Sequence, residues 1–262
     1  MNDILTLILV GFATGITTIL FGFGGGFVVV PFVYQRLSHQ PALAGYAMHI
    51  AVATSTAVMV FNAGWASWQN WRVGKLHTQV VFPLLWFIAA GAFGGAWLAG
   101  ILTDNEVRLL FILYLLATLA DCLLRKGFMQ PPAYKPLSAI TLSAGGIVIG
   151  FIAALLGVGG SVMTVPLLRR HGYAMENCVS AANPLSLPVA LCGAGMYSLG
   201  GPALIPQGDY LGFINLKILL LLTVAGFCGM LFSHKYIPRV PDVWHARIYL
   251  LLLFLVLTGI LI

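Results

Sequence analysis

Charge is what this chain is short of. Only 7 of its 262 residues are Asp or Glu, and all charged residues together make up 8%, against about 25% in a soluble domain. With 60% hydrophobic residues and a mean hydropathy of +0.98, no stretch is long or polar enough to build a water-soluble domain. The composition therefore implies an all-α polytopic membrane protein, with apolar runs from end to end.

Several chemistries are missing as well. There is no phosphate-binding loop with its Lys and Ser/Thr, no dinucleotide glycine pattern on a strand and no nucleophile–base–acid spacing. Neither a nucleotide nor any other cofactor is implied, and the chain does not read as an enzyme. The 4 cysteines, Cys122, Cys178, Cys192 and Cys228, are scattered with no CxxC or Cys/His cluster, which points to free thiols and no metal site. The net charge of +6 is explained by basic loops on one membrane face, so no nucleic-acid partner is expected. The opening "MNDILTLILV" has no basic region or small-residue cleavage site, and no removable signal peptide is expected.

What the chain has is glycine in unusual places. Eight apolar segments fall at about 4–37, 43–68, 79–101, 106–124, 138–170, 177–198, 213–235 and 245–262. Six have ordinary spanning length, but 4–37 and 138–170 exceed 30 residues. A straight helix that long measures about 50 Å, against a hydrocarbon core of about 30 Å. Both long segments are interrupted at corresponding places. Residues 15–31, "GITTILFGFGGGFVVVP", align without a gap on 150–166, "GFIAALLGVGGSVMTVP", with 7 of 17 positions identical. The glycines break each helix, and a proline closes each run. The chain thus divides into halves, 1–124 and 138–262, joined by a charged, Pro-rich linker at 125–137.

The cations decide how the long segments cross. If each crosses once, Lys and Arg divide 6 against 7 between the faces. If each is a hairpin returning to the face it entered, Arg36, Arg108 and Lys217 stand against Arg72, Lys75, Arg125, Lys126, Lys135, Arg169, Arg170, Lys235, Arg239 and Arg247. The positive-inside rule selects the hairpins. It puts both termini outside and the linker in the cytoplasm. The second half is then inverted relative to the first, each half being a re-entrant hairpin followed by three transmembrane helices. Inverted repeats with broken helices are the mark of secondary transporters with a site near the midplane.

The candidate site is where the hairpin tips meet. A short helix starts near Phe27 and another near Val162, and the first amides of a helix have no internal partner. Gly24, Gly25 and Gly26, with Gly159, Gly160 and Ser161, allow close backbone approach to an anion. No Asp, Glu, Lys or Arg is central to any segment. Thr54, Ser55, Thr56 and Asn62 follow the first hairpin; Ser180, Asn183 and Ser186 follow the second. Of these, Thr54, Ser55, Asn62 and Asn183 are the expected lining. Pro184 and Pro188 are expected to kink or break segment six. His49, lacking a carboxylate partner in sequence, is the proton-coupling candidate. Asp121 is expected to pair with Arg125. Trp65, Trp68, Trp71 and Trp244 read as an aromatic belt. The GxxxG in "GAFGG", 91–95, packs on another helix of the fold or on a second subunit, which leaves a homodimer open.

The doubled motif "GFGGGFVVVP" and "GVGGSVMTVP", in a chain of this length and segment count, resembles the TauE/SafE sulfite-exporter family over essentially the whole chain. The resemblance implies a bacterial inner-membrane exporter of small sulfur-containing anions, such as sulfite, organosulfonates or related oxyanions, with membrane lipid as its other partner. A passive anion channel is the alternative, and an intramembrane enzyme the more distant one. One departure stands out: "ATST" at 53–56 faces "AANP" at 181–184, where the resemblance calls for a similar Thr-Ser pair.

Overall fold

In the computed structural model, residues 2–76, 78–125, 127–129, 131–200, 209–238 and 240–261 are described. Lys126, Arg239 and His77 lie outside them. The described chain is almost entirely helical: α1 (Asn2–Phe21), α2 (Gly26–Ser38), α3 (Ala47–Arg72), α4 (Thr78–Ala99), α5 (Asp104–Leu124), α6 (Gly146–Leu156), α7 (Ser161–Arg170), α8 (Met175–Leu199), α9 (Leu216–Tyr236) and α10 (Asp242–Leu261). A π-helical turn, Thr141–Gly145, leads into α6, and a two-residue β-ladder pairs Tyr210 with Asn215 before α9. Among the described residues, seven helices are long and apolar enough to cross a membrane: α1, α3, α4, α5, α8, α9 and α10. Their outward faces are oily, with Trp86, Phe93 and Trp97 exposed along α4 and Leu220 and Val224 along α9. Such surface suits lipid rather than water.

The two long segments break where the glycines fall. α1 and α2 are separated by residues 22–25, α6 and α7 by 157–160. Pro31 and Pro166 do not close these runs; each sits inside the returning helix. A helical proline frees the carbonyl four residues earlier. For Pro166 that is the Val162 carbonyl, which accepts from the Tyr249 hydroxyl at 3.1 Å. The same device corrects the expectation for segment six. α8 runs unbroken through Pro184 and Pro188, and the Ser180 carbonyl freed by Pro184 accepts from Asn70 Nδ2 at 3.3 Å.

Helix direction follows from close contacts. A Cβ on Gly15 would stand 1.9 Å from the Gly226 carbonyl oxygen, and one on Gly229 2.1 Å from that of Phe12. α1 therefore runs along α9 backbone to backbone. Likewise, Cβ atoms on Gly91, Gly95 and Gly150 would stand 2.0 Å from the carbonyl oxygens of Ile147, Phe151 and Ile88, so α6 runs along α4 in the same way. Small residues permit this close van der Waals packing. The GxxxG at Gly91 and Gly95 is thus used inside the fold, against α6. The first arm of each broken pair packs on a helix distant in sequence, α1 on α9 and α6 on α4, the second arms pack mainly on α3 and α8, and α3 packs on α8.

These contacts fix where each hairpin enters. α1 starts at the end of the bundle where α9 starts and α10 finishes. α2 returns to that end, where Gln35 Nε2 donates to the Gly259 carbonyl at 2.6 Å. α6 starts at the opposite end, and α7 returns there, where Arg169 meets Asp242 at the start of α10. Arg72, Lys75, Arg125, Lys135, Arg170, Lys235 and Arg247 share this second end with Arg169; Arg36, Arg108 and Lys217 lie at the first. Trp68, Trp71 and Trp244 are exposed at the basic end, with the guanidiniums of Arg72 and Arg247 over the Trp68 and Trp244 rings at 4.8 and 5.3 Å. Trp65 sits a turn deeper, edge-on to Phe227.

Candidate anion site at the hairpin tips

The two tips touch. A Cβ on Gly26 would stand 2.7 Å from the Gly157 carbonyl oxygen, and one on Gly159 3.1 Å from that of Phe23. Gly25, at φ 99°, and Gly157, at φ 66°, hold the left-handed conformation that lets each chain reverse, which side chains resist. The Ser55 hydroxyl lies across the junction. It donates to the Gly157 carbonyl at 2.8 Å and reaches the Gly26 carbonyl at 3.1 Å, sharing one proton between them. The Met59 sulfur lies 3.1 Å from the Cβ positions of both Gly24 and Gly159. Ser55, Met59 and Asn62 flank the middle of α3, so the junction is level with the middle of that helix.

The electrostatics of the junction follow from which helix ends are capped. The carbonyl ends of α1 and α6 have partners. Leu20 O accepts from His245 Nε2, Thr18 O from Asn183 Nδ2 at 3.4 Å and from Gly22 N at 3.0 Å, and Leu155 O from the Tyr197 hydroxyl at 3.4 Å. The amide ends of α2 and α7, which start at Gly26 and Ser161, have no side-chain cap. The positive ends of two helix dipoles, each equivalent to about half a charge, therefore face the junction; at α7 the amides of Val162 and Met163 donate back to the Gly159 and Gly160 carbonyls at 3.3 and 3.2 Å, and at α2 the Val29 amide donates to the Gly25 carbonyl at 3.3 Å.

Of the expected lining, Gly24, Gly25, Gly26, Ser55, Asn62, Gly159, Gly160 and Ser161 lie on or against the tips. Asn62 is fully buried, and neither its Nδ2 nor its Oδ1 has a hydrogen-bond partner; its Nδ2 lies 2.9 Å from the Cβ position of Gly25. Ser161 Oγ is buried without a partner too. A buried polar atom left unpaired costs about 1–3 kcal/mol, so these atoms call for an explanation. Thr54 is not brought to the tips, and Asn183 meets only the end of α1, at the Thr18 carbonyl. Thr54 Oγ1 accepts from the Asn215 amide at 3.1 Å, and the Asn215 side chain caps α9. Thr56 bonds back to the Ala53 carbonyl at 2.8 Å. Asn183 lines a cavity of about 290 Å³ with Leu20, Lys75, Ser180, Ser233 and His245. This cavity lies towards the basic end, where Lys75 pairs with Glu176 at 2.8 Å.

His49 has the carboxylate partner that its sequence neighbourhood lacks. Its Nδ1 lies 2.9 Å from Asp104 Oδ1 and its Nε2 3.1 Å from the Ala99 carbonyl. Asp104, at the start of α5, also accepts from the amides of Met48 and His49 at 2.9 and 2.8 Å. The start of α10 holds a similar arrangement, with Arg169 in the place of His49. Asp242, at the start of α10, accepts from the Met175 amide at 2.9 Å and pairs with Arg169, whose guanidinium is fully buried and also donates to the carbonyls of Phe128, Met129 and Tyr173. Asp121 pairs with Arg125 at 3.3 Å, as its spacing predicts, and with Arg170 as well.

Thr14 is the tip residue that sequence reasoning missed. It is fully buried, its Oγ1 has no partner, and its methyl carbon lies 2.9 Å from the Cβ position of Gly25. A signal was present: "TGITT" precedes the first glycine run, where the second hairpin has only "IGFIAA".

Broken helices in touching pairs, within a bundle of apolar spans, define a multi-pass membrane protein of transporter type. The Sulfite exporter TauE/SafE family model matches residues 7–260, and the chain belongs to that family. It is 28% identical over 236 residues to a probable membrane transporter protein of Haemophilus influenzae, covering 86% of this chain and 85% of that one. A probable membrane transporter protein of Methanocaldococcus jannaschii is 23% identical over 175 residues, covering 66% and 64%. A third, YunE of Bacillus subtilis, is 22% identical over 183 residues, covering 62% and 66%. No solved structure matches the chain.

Proposed function

We propose that this protein is a secondary transporter that exports a small sulfur-containing anion, such as sulfite, an organosulfonate or a related oxyanion, by alternating access around the junction of its two hairpin tips. The carrying observation is that two helix N-termini without side-chain caps meet beside buried polar atoms without partners, at Asn62 and Ser161. A junction rich in donors and without a fixed cation binds an anion and releases it again. The family supports a transporter, and the family's name supports the sulfur anion.

In this reading the halves 1–124 and 138–262 are inverted repeats joined by 125–137, and their hairpins enter from opposite ends. The basic end faces the cytoplasm of a bacterial inner membrane, which leaves both termini outside. The cavity beside Asn183 is the inner approach to the site, and lipid surrounds the bundle. His49 couples transport to protons through its contact with Asp104.

The test is flux in proteoliposomes loaded with sulfite, taurine, sulfoacetate or a carboxylate. Saturable uptake that accumulates one sulfur anion under an imposed pH gradient, with that drive lost in His49→Gln, is expected. Flux linear in concentration and indifferent to the gradient returns the channel alternative. Absence of flux for every anion removes the transport reading of the tips.

A further inference from the structure

The two tips are built alike but furnished differently. Gly25 and Gly160 occupy the same place in the repeated glycine run. Around Gly25 stand Thr14, Val58 and Asn62; around Gly160 stand Ile149, Leu185 and Val189. The positions correspond. Thr14 and Ile149 each precede the aligned Gly15 and Gly150. Val52 abuts Gly157 as Val179 abuts Gly22, and counting equally along α3 and α8 brings Val58 onto Leu185 and Asn62 onto Val189. The second tip carries Ser161 where the first has Gly26, but the first has Thr14 and Asn62 where the second has two hydrocarbons. Thr14 and Asn62 are both fully buried and unpartnered. α9 also makes room there: a Cβ on Gly226 would stand 3.2 Å from Asn62 Nδ2 and 3.3 Å from Oδ1.

We infer that the substrate anion is held on the side of the first tip, by Asn62, Thr14 and the leading amides of α2, while Ile149 and Val189 make the matching side of the second tip apolar, and that the anion must itself carry a hydrogen-bond donor. This rests on the proposed transport of an anion through the tips. The donor requirement comes from the inventory of groups. The α2 amides, Asn62 Nδ2 and the Thr14 hydroxyl can all donate to anion oxygens, but Asn62 Oδ1 only accepts. A fully deprotonated oxyanion leaves that oxygen unpaired in a buried site, which a polar site rejects strongly. A protonated oxyanion satisfies it. Charge argues the same way. Arg169, the one fully buried Arg or Lys among the described residues, is committed to Asp242, so a dianion would be desolvated with only amide dipoles against it.

The experiment is the melting temperature of the purified full chain titrated with sulfite in weakly acidic buffer, where it carries a proton, with inorganic phosphate, and with sulfate, which carries none. Sulfite is expected to raise the wild-type melting temperature and sulfate to leave it unmoved; phosphate, larger but protonated, is expected to shift it more than sulfate does. Asn62→Val and the near-isosteric Thr14→Val are each expected to weaken sulfite binding about tenfold. Their unliganded melting temperatures should stay at or above wild type, because the deleted atoms have no partners. Val189→Ala and Ile149→Val are expected to bind as wild type. Equal weakening by the second-tip variants overturns the one-sided site and leaves the transport proposal standing. Sulfate binding as tight as sulfite overturns the donor requirement. Wild-type binding in all four variants overturns the site, and loss of binding in Gly25→Ala would then still place the anion at the hairpins. No shift with any probe, together with no flux in proteoliposomes, removes the transport proposal itself.

Discussion

Ser55 ties one hairpin to the other, donating to the Gly157 carbonyl at 2.8 Å while touching the Gly26 carbonyl at 3.1 Å. Its counterpart on α8 is Ala182, so the bridge exists once. Ser55→Ala strips two buried carbonyls of their donor and is expected to cost about 1–3 kcal/mol. Chemical or thermal unfolding in detergent measures this. An unchanged stability would mean that the tips are held by packing alone.

Gly25 and Gly160 are expected to differ in tolerance despite their equivalence in sequence. Gly25 has φ 99°, and its Cβ would lie 2.9 Å from both Asn62 Nδ2 and the Thr14 methyl. Gly160 has φ −53°, with its nearest neighbour at an ordinary 3.5 Å. Gly25→Ala should therefore abolish flux, adding about 1–2 kcal/mol of left-handed strain to the clash, and Gly160→Ala should transport nearly as wild type. Flux assays of the two variants side by side decide it.

The Arg169–Asp242 pair is expected to matter far more than Lys75–Glu176. Arg169 is 0% exposed in its side chain, Asp242 41%, and the other two 41% and 50%. Asp242→Ala abandons a buried guanidinium and the α8 amide of Met175, at an expected cost of about 3 kcal/mol. Glu176→Ala should change stability by less than about 1 kcal/mol. Melting temperatures of both variants test the ranking.

Gly95→Leu is expected to damage the monomer rather than an oligomer. The residue meets the Phe151 backbone of α6, so a side chain there drives α4 and α6 apart. Size-exclusion chromatography with a stability measurement separates the outcomes. A clean shift in assembly size at unchanged stability would return the GxxxG to a subunit interface.

The sequence by itself determined where the long segments break, because a run of glycines without side chains weakens the helix locally whatever surrounds it. The asymmetry of cations along the chain determined that these segments turn back, because every loop's charge is readable without coordinates. The repeated glycine run and its proline announced the family for the same reason. Tertiary structure decided what the prolines do: Pro184 leaves α8 intact because Asn70, from a distant helix, takes the freed carbonyl. It also decided which polar residues meet the tips. Thr54 and Ser55 are adjacent in sequence, yet a helix turns about 100° per residue, so Ser55 faces the junction and Thr54 faces the Asn215 amide. Asn62 and Thr14 converge on Gly25 only through the crossing of α1 with α3, which no local pattern reports. The Arg169–Asp242 and His49–Asp104 pairs were hidden likewise, since their partners stand far apart along the chain and meet only where the helix ends gather.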